Sequence, residues 1–166
     1  SHPENLAQEG NREAIKTAAI YGANAAGKSA VIRAFVAAIM AVRTSDTRNI
    51  TQKIPGMVPF KLDEETAKAP CSFEFFFVAN DGIPYRYGFT ANSDRVQEEY
   101  LYYYTSARAS RVFERTGDDF DFNQASKSAF SEYEGKNTSN KFFLATATNW
   151  GNAKTAPAYQ WLANAI

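Results

Sequence analysis

The chain has 166 residues, enough for one domain or part of one, and its 18 basic and 18 acidic side chains cancel. Hydrophobic residues make up 45% and charged residues 22%, as in an ordinary globular protein; no net basic field points to nucleic acid, although a local patch stays open. A single cysteine, Cys71, excludes an internal disulfide, and with one terminal histidine, His2, it excludes a thiolate or imidazole metal centre.

No apolar run reaches the ~18 residues needed to span a bilayer, and no signal peptide is visible. Cys71 reads as a buried thiol suited to a reducing compartment. The expected location is the cytoplasm, with no membrane partner. The first residue is Ser1 rather than Met, which reads as a start inside a longer protein. The expected organisation is a single partial domain over 1–166. It has a P-loop unit at 16–43, an antiparallel β-subdomain at 57–125 and a mainly helical segment at 126–166.

Residues 1–15 are polar and without clear period, and read as an arm or loop. Lys16-Thr17-Ala18-Ala19-Ile20-Tyr21 is short and largely apolar and runs directly into Gly22, as a buried parallel strand would. Residues 22–29 read Gly-Ala-Asn-Ala-Ala-Gly-Lys-Ser, a full match to G-x-x-x-x-G-K-[ST], the Walker A phosphate loop. At an average glycine usage of about 7%, a chance match in a chain of this length has odds of roughly half a percent.

The chemistry follows from the residue types. Gly22 and Gly27 permit backbone angles that a side chain would obstruct. The main chain can then turn its N–H groups onto a phosphate, where the following helix adds its positive end. Lys28 is the candidate catalytic residue, its ammonium reaching the β- and γ-phosphates, and the Ser29 hydroxyl is a candidate Mg²⁺ ligand. The candidate nucleotide-binding set is Gly22, Ala23, Asn24, Ala25, Ala26, Gly27, Lys28, Ser29 and Ala30. A turn between strand and helix that binds nothing is the plain alternative, and the strand–loop–helix context argues against it.

From Ala30 to Arg43 the spacing predicts a helix. Val31, Phe35, Ala38 and Val42 form an apolar stripe that Ile32, Val36 and Ile39 widen. It is expected to be buried on most sides, with Arg33 and Arg43 at its edges. Residues 44–56 have loop composition. Met57-Val58-Pro59-Phe60 is a short apolar piece, and Lys61 to Pro70 is charged and solvated.

The texture then changes to a Phe- and Tyr-rich stretch punctuated by turns, which predicts an antiparallel meander of about five strands from Ser72 to Phe122. Phe75-Phe76-Phe77-Val78 followed by Asp81 loosely resembles a Walker B strand. Asn80-Asp81-Gly82 is better explained as a hairpin turn. Val96, Glu98, Tyr100, Tyr102 and Tyr104 are expected on one face of a strand, with Leu101 and Tyr103 on the other. The tyrosine stripe could stack bases, although core on one face and ordinary surface on the other is the commoner meaning. Arg108, Arg111 and Arg115 could contact phosphate or form a solvated edge. Glu98 and Glu99 point to opposite faces and make a poor catalytic pair. Beyond residue 126, Lys141 to Trp150 and Thr155 to Ile166 read as helices separated by Gly151 and Asn152.

Ile20 to Ser29, with Asn24 two residues after the first Gly, resembles the Walker A of ABC-type ATPases of the SMC/RecF/OLD-like kind. A bacterial AAA-family ATP-binding group within that clade is similar over more of the chain. The similar stretches are Pro59-Phe60-Lys61-Leu62, Phe73-Glu74-Phe75, Gly82-Ile83-Pro84-Tyr85-Arg86-Tyr87-Gly88-Phe89 and Val112-Phe113-Glu114-Arg115. The resemblance implies an α/β fold, the N-terminal part of an ABC-type P-loop NTPase head with an antiparallel β-meander subdomain. ATP and Mg²⁺ would bind at the P-loop. It implies as partners a second head or the C-terminal half of the same protein, and a nuclease effector acting on nucleic acid in DNA maintenance or antiphage defence.

The family's Mg²⁺- or water-contacting Gln corresponds to Asn149, a shorter side chain. Ala26 and Ala30 depart from the family's usual residues. No signature loop, Walker B Asp-Glu or switch histidine is present in this chain, which implies weak or incomplete nucleotide binding and negligible hydrolysis by the segment alone. Two other functions stay open: a β-rich interaction module that keeps a P-loop without turnover, and a small-molecule P-loop kinase. The P-loop does not choose between ATP and GTP.

Overall fold

The computed structural model describes residues 6–9, 12–15, 19–59 and 69–166. His2, residues 16–18 of the expected first strand, and residues 60–68 lie outside them. The chain forms two compact units, Ser1–Arg33 and Ala34–Ile166.

In the first unit, β1 (Leu6–Glu9) pairs antiparallel with β2 (Arg12–Ile15), Leu6 opposite Ile15 and Glu9 opposite Arg12. This corrects the expected arm or loop. The overlooked signal is the dipeptide Gly10-Asn11, a two-residue hairpin connector by composition. A second correction concerns the strand expected before Gly22. Ala19, Ile20 and Tyr21 are not in a strand, and Ile20 and Tyr21 are exposed, Tyr21 by 89%. A parallel strand exists only against a neighbour, and every strand pair among the described residues is antiparallel.

Helix α1 (Lys28–Arg43) starts two residues earlier than the apolar stripe suggested, because the P-loop supplies its first turn. It is buried only at Ala38, Ile39, Ala41 and Val42. Val31, Ile32, Phe35, Val36 and Met40 are exposed, which corrects the expectation of a helix buried on most sides.

The second unit is built on a five-stranded antiparallel sheet in sequential order. Its strands are β3 (Cys71–Val78), β4 (Pro84–Ala91), β5 (Val96–Tyr103), β6 (Ser110–Thr116) and β7 (Asp119–Phe122). This is the expected meander. Asp81 sits in the β3–β4 hairpin, accepting from the Ile83 N–H at 3.0 Å and the Tyr85 hydroxyl at 2.8 Å, so the Walker B resemblance is rejected. Cys71 is only partly buried, packed at the margin of the core.

One face of the sheet carries the core. Tyr85, Tyr87 and Phe89 of β4 face it with Leu101 of β5, Val112 and Phe113 of β6 and Phe122 of β7. Three helices complete the unit: α2 (Lys127–Glu134), α3 (Phe143–Asn149) and α4 (Ala156–Asn164). Phe143 sits 5.0 Å from Phe113 and 4.7 Å from Phe120 between ring centroids, and Trp161 stacks on Phe77 at 4.0 Å. Rings in such edge and offset arrangements add about 0.5–1.5 kcal/mol per pair beyond their buried area.

Two register shifts interrupt the pairing of β5, one against β4 and one against β6 between Leu101 and Tyr102. The register shifts between Thr90 and Ala91, so Val96 and Glu98 do not share a face. Val96 therefore turns inward, while Glu98 is exposed and Glu99 points inward by alternation with Leu101. Glu99 is 1% exposed and accepts from the Phe143 and Leu144 N–H groups at 2.6 and 3.0 Å and from the Tyr87 hydroxyl at 3.0 Å. It thereby caps α3, which has no side-chain cap of its own at Phe142.

Arg115 is also buried rather than part of a solvated edge. It lies 3.8 Å from Glu99 and donates to the carbonyls of Gly117 and Lys141, both at 2.7 Å. Burial pushes the Glu99 carboxyl up, against Arg115 and the helix N–H groups, and pushes the Arg115 guanidinium down. A second clamp ties the sequence-distant loop after α1 to the segment before α3. Arg48 donates to the Asn140 carbonyl at 2.7 Å and the Ala41 carbonyl at 3.0 Å, and the Asn140 amide donates to the carbonyls of Asn49 and Gln52, both at 2.8 Å.

Candidate nucleotide-binding site

The loop from Gly22 to Ala30 turns sharply at two residues. Ala25 has φ 65° and Gly27 φ 84°, both in the left-handed region. Gly27 occupies it at no steric cost, whereas a residue with a Cβ pays about 1–2 kcal/mol there, so Ala25 is a strained position. Gly22 is not in that region, and a Cβ on it would meet Ala26 only at an ordinary 3.5 Å. The freedom of glycine is therefore needed at Gly27 rather than at Gly22.

The turn is closed by the Ala26 N–H on the Ala23 carbonyl at 3.2 Å, and α1 is nucleated by the Ala30 and Val31 N–H groups on the Gly27 carbonyl at 2.9 and 3.2 Å. This leaves the N–H groups of Gly27, Lys28 and Ser29 without an acceptor among the described residues. They are the orphan donors of a helix start, at the positive end of a 16-residue helix.

The Lys28 ammonium folds back over the loop and donates to the carbonyls of Gly22 and Ala23, both at 2.6 Å. An ammonium has three N–H donors, so one remains for an anion. Asn24 to Ala30 with Arg33 line a concavity of about 320 Å³. Arg33, placed at a helix edge by the sequence pattern, is a missed member of the site. The available signal is its spacing, four residues after Ser29 and hence on the same helix face.

Anionic oxygens fit this donor set: backbone N–H groups, an ammonium and a guanidinium, with no carboxylate lining the concavity. For a divalent cation the loop offers the Ser29 hydroxyl, and among the described residues no group of three His, Cys, Asp or Glu side chains could hold a metal ion. That is a fit for Mg²⁺ arriving with a polyphosphate, whose oxygens and waters complete its shell. Asn149 is the last residue of α3, exposed, in the second unit.

A family model described as "AAA domain, putative AbiEii toxin, Type IV TA system" matches residues 18–157. The chain belongs to that AAA-domain family. Its coarse function is accordingly that of a nucleotide-binding, ATPase-like AAA domain, and the phosphate loop lies inside the matched stretch. No curated protein and no solved structure matches the chain. No helix among the described residues of this AAA domain is long and apolar enough to cross a membrane.

Proposed function

We propose that this AAA domain is the ATP-binding N-terminal lobe of an ABC-type ATPase head of the SMC/RecF/OLD kind, with a P-loop NTPase core. ATP-driven closure of the head would drive an effector, a nuclease in DNA maintenance or antiphage defence. The observation that supports the reading is the loop itself. Gly27, Lys28 and Ser29, whose N–H groups have no acceptor among the described residues, line one concavity at the start of α1 with Arg33, and Lys28 keeps one donor free of the loop carbonyls.

In this reading the N–H groups of Gly27, Lys28 and Ser29 bind phosphate oxygens, Lys28 neutralises the terminal phosphates, and Ser29 holds Mg²⁺. Bound Mg²⁺ supplies charge neutralisation across the phosphates. Asn149 is the residue the family likeness assigns toward metal or water. Phosphoryl transfer also needs a water oriented for in-line attack and a second hold on the metal. Lys28 and Ser29 supply neither, so this chain alone binds nucleotide weakly or incompletely and hydrolyses it negligibly. Its partners are a second head or the C-terminal half of the same protein, and the effector with its nucleic acid.

The test is calorimetry with Mg·ATP and Mg·GTP on the intact chain and on Lys28→Ala. Hydrogen bonds from a charged donor are worth about 1.5–3 kcal/mol, so the variant should bind about 10- to 100-fold more weakly. Its unfolding midpoint should hardly move. Equal affinity of the two proteins would reject the proposal. The stronger of the two nucleotides identifies the base.

A further inference from the structure

The outer face of the meander is unlike an ordinary solvated sheet at one end. Register places Phe76, Arg86, Tyr102 and Arg111 in one row across β3 to β6. Phe76 is 56% exposed, and Tyr104 meets it edge-on with ring centroids 5.7 Å apart. The tyrosine stripe of β5 is thus divided. Leu101 is the core residue, and Tyr100 and Tyr102 lie on the outer face, where their hydroxyls donate to Glu74 and Glu114.

Next to this row, the β5–β6 connection and the end of β7 enclose a cleft of about 470 Å³ lined by Arg108, Ala109, Ser110, Arg111, Asn123 and Gln124. The polar side chains of this lining are two guanidinium groups, a hydroxyl and two amides, with no carboxylate among them. Arg111 donates through Nη1 to Glu114 at 2.9 Å and pairs with Asp121 at 2.7 Å, while its Nε is buried and lacks an acceptor. Arg108 is exposed, and its guanidinium has no partner among the described residues.

We propose that this cleft and the adjoining aromatic row bind single-stranded nucleic acid. Arg108 and Arg111 hold a phosphodiester, and unpaired bases stack on Phe76 and its tyrosine neighbours. Guanidinium forks match phosphate oxygens. A ring on a sheet accepts a base only when that base is out of a duplex. Glu114 and Asp121 already neutralise Arg111, so Arg108 carries the uncompensated charge. The affinity is therefore modest, and the salt dependence corresponds to about one phosphate contact. The biological role rests on the effector reading above, but the binding itself does not require nucleotide.

Fluorescence anisotropy of a labelled 15-nucleotide oligothymidine with the intact chain, without nucleotide, tests this. The expected Kd is on the order of 1–100 μM at low salt. Arg108→Ala should weaken binding about five- to tenfold and lower the salt slope by about one. Phe76→Ala should weaken it about tenfold through lost stacking. Both residues are exposed, so neither change threatens the fold. Lys28→Ala should bind the oligonucleotide like the parent chain, which separates this result from the fate of the nucleotide proposal. No binding by the parent chain, parental affinity in both surface variants, equal competition by a duplex, or loss of binding in Lys28→Ala would each overturn the proposal.

Discussion

The phosphate loop and the meander are organised by opposite means. The loop, residues 22–30, is held by contacts between near neighbours: a turn from Ala23 to Ala26, a helix start on Gly27, and Lys28 on carbonyls five and six residues back. Its chemistry can be named from a short motif because everything that shapes it lies within the motif. The meander is held by partners far apart in sequence, such as Glu99 on the N–H groups 44 and 45 residues downstream and Arg48 on Asn140. Its strands are visible in the alternation of residues, but what its polar groups do is not. The lesson is that a local motif reveals chemistry, while non-local packing decides which side chains are buried, paired or left open.

The largest expected effect falls on the non-local region. Glu99→Gln turns one of the two acceptor oxygens into an N–H₂ donor, so one of the buried Phe143 and Leu144 N–H groups loses its partner. An unpaired buried donor costs about 1–3 kcal/mol, measurable by urea unfolding. Glu99 also carries a pH signature. Its folded-state pKa lies above the unfolded value, so its contribution is fully present below the unfolded carboxylate range and is lost as pH rises through the raised folded value. Stability of the parent chain should fall over that window relative to Glu99→Gln. A parallel pH dependence of the two would show that Glu99 does not titrate there.

A smaller effect sharpens the description of the outer face. A Cβ on Gly88 would lie 2.3 Å from the Tyr100 ring, which crosses the Gly88 backbone to reach Glu74, with Arg86 5.4 Å above the ring centroid. Burial and the Glu74 carboxylate push the Tyr100 hydroxyl up to about 12. Its hydrogen bond to Glu74, then Arg86, holds that carboxyl down. Gly88→Ala must swing Tyr100 away and should cost about 1–2 kcal/mol by urea unfolding. In a Tyr100→Ala background the same change should cost much less, and strict additivity would contradict the contact.

The smallest effect belongs to the loop. Ala25 holds φ 65° with a Cβ, so Ala25→Gly relieves strain against an added unfolded-state entropy. The net gain should be at most about 1 kcal/mol, read as a slightly higher unfolding midpoint. A clear loss would mean that the loop is not held in this shape.

What could be read in the sequence follows the same division. The five strands, the Asn80-Asp81-Gly82 hairpin and the helix after Ser29 follow from periodicity and turn chemistry, which are local. The first hairpin was legible too, in Gly10-Asn11, but a four-residue strand on either side gives little alternation to count. The register shift at Thr90 and Ala91 has no sequence mark, and it is what turns Val96 inward; Glu99 lies inward by alternation with Leu101, but its partners on β6 and α3 are far away in sequence. Helix α2 has only Phe130 and Tyr133 as buried anchors and no side-chain cap, so its pattern is too thin to detect. The apolar stripe of α1 correctly predicted a helix, but a stripe states only what could be buried. Burial from Ala38 onward depends on which elements pack there.

The most direct test of the central claim, that the loop's own amides bind a polyphosphate, is amide chemical-shift mapping. The intact chain would be titrated with Mg²⁺ and a non-hydrolysable ATP analogue. The Gly27, Lys28 and Ser29 amides should shift most, while core amides such as those of Tyr87 and Leu101 stay in place. Saturating nucleotide that leaves those three loop amides unmoved would contradict the claim.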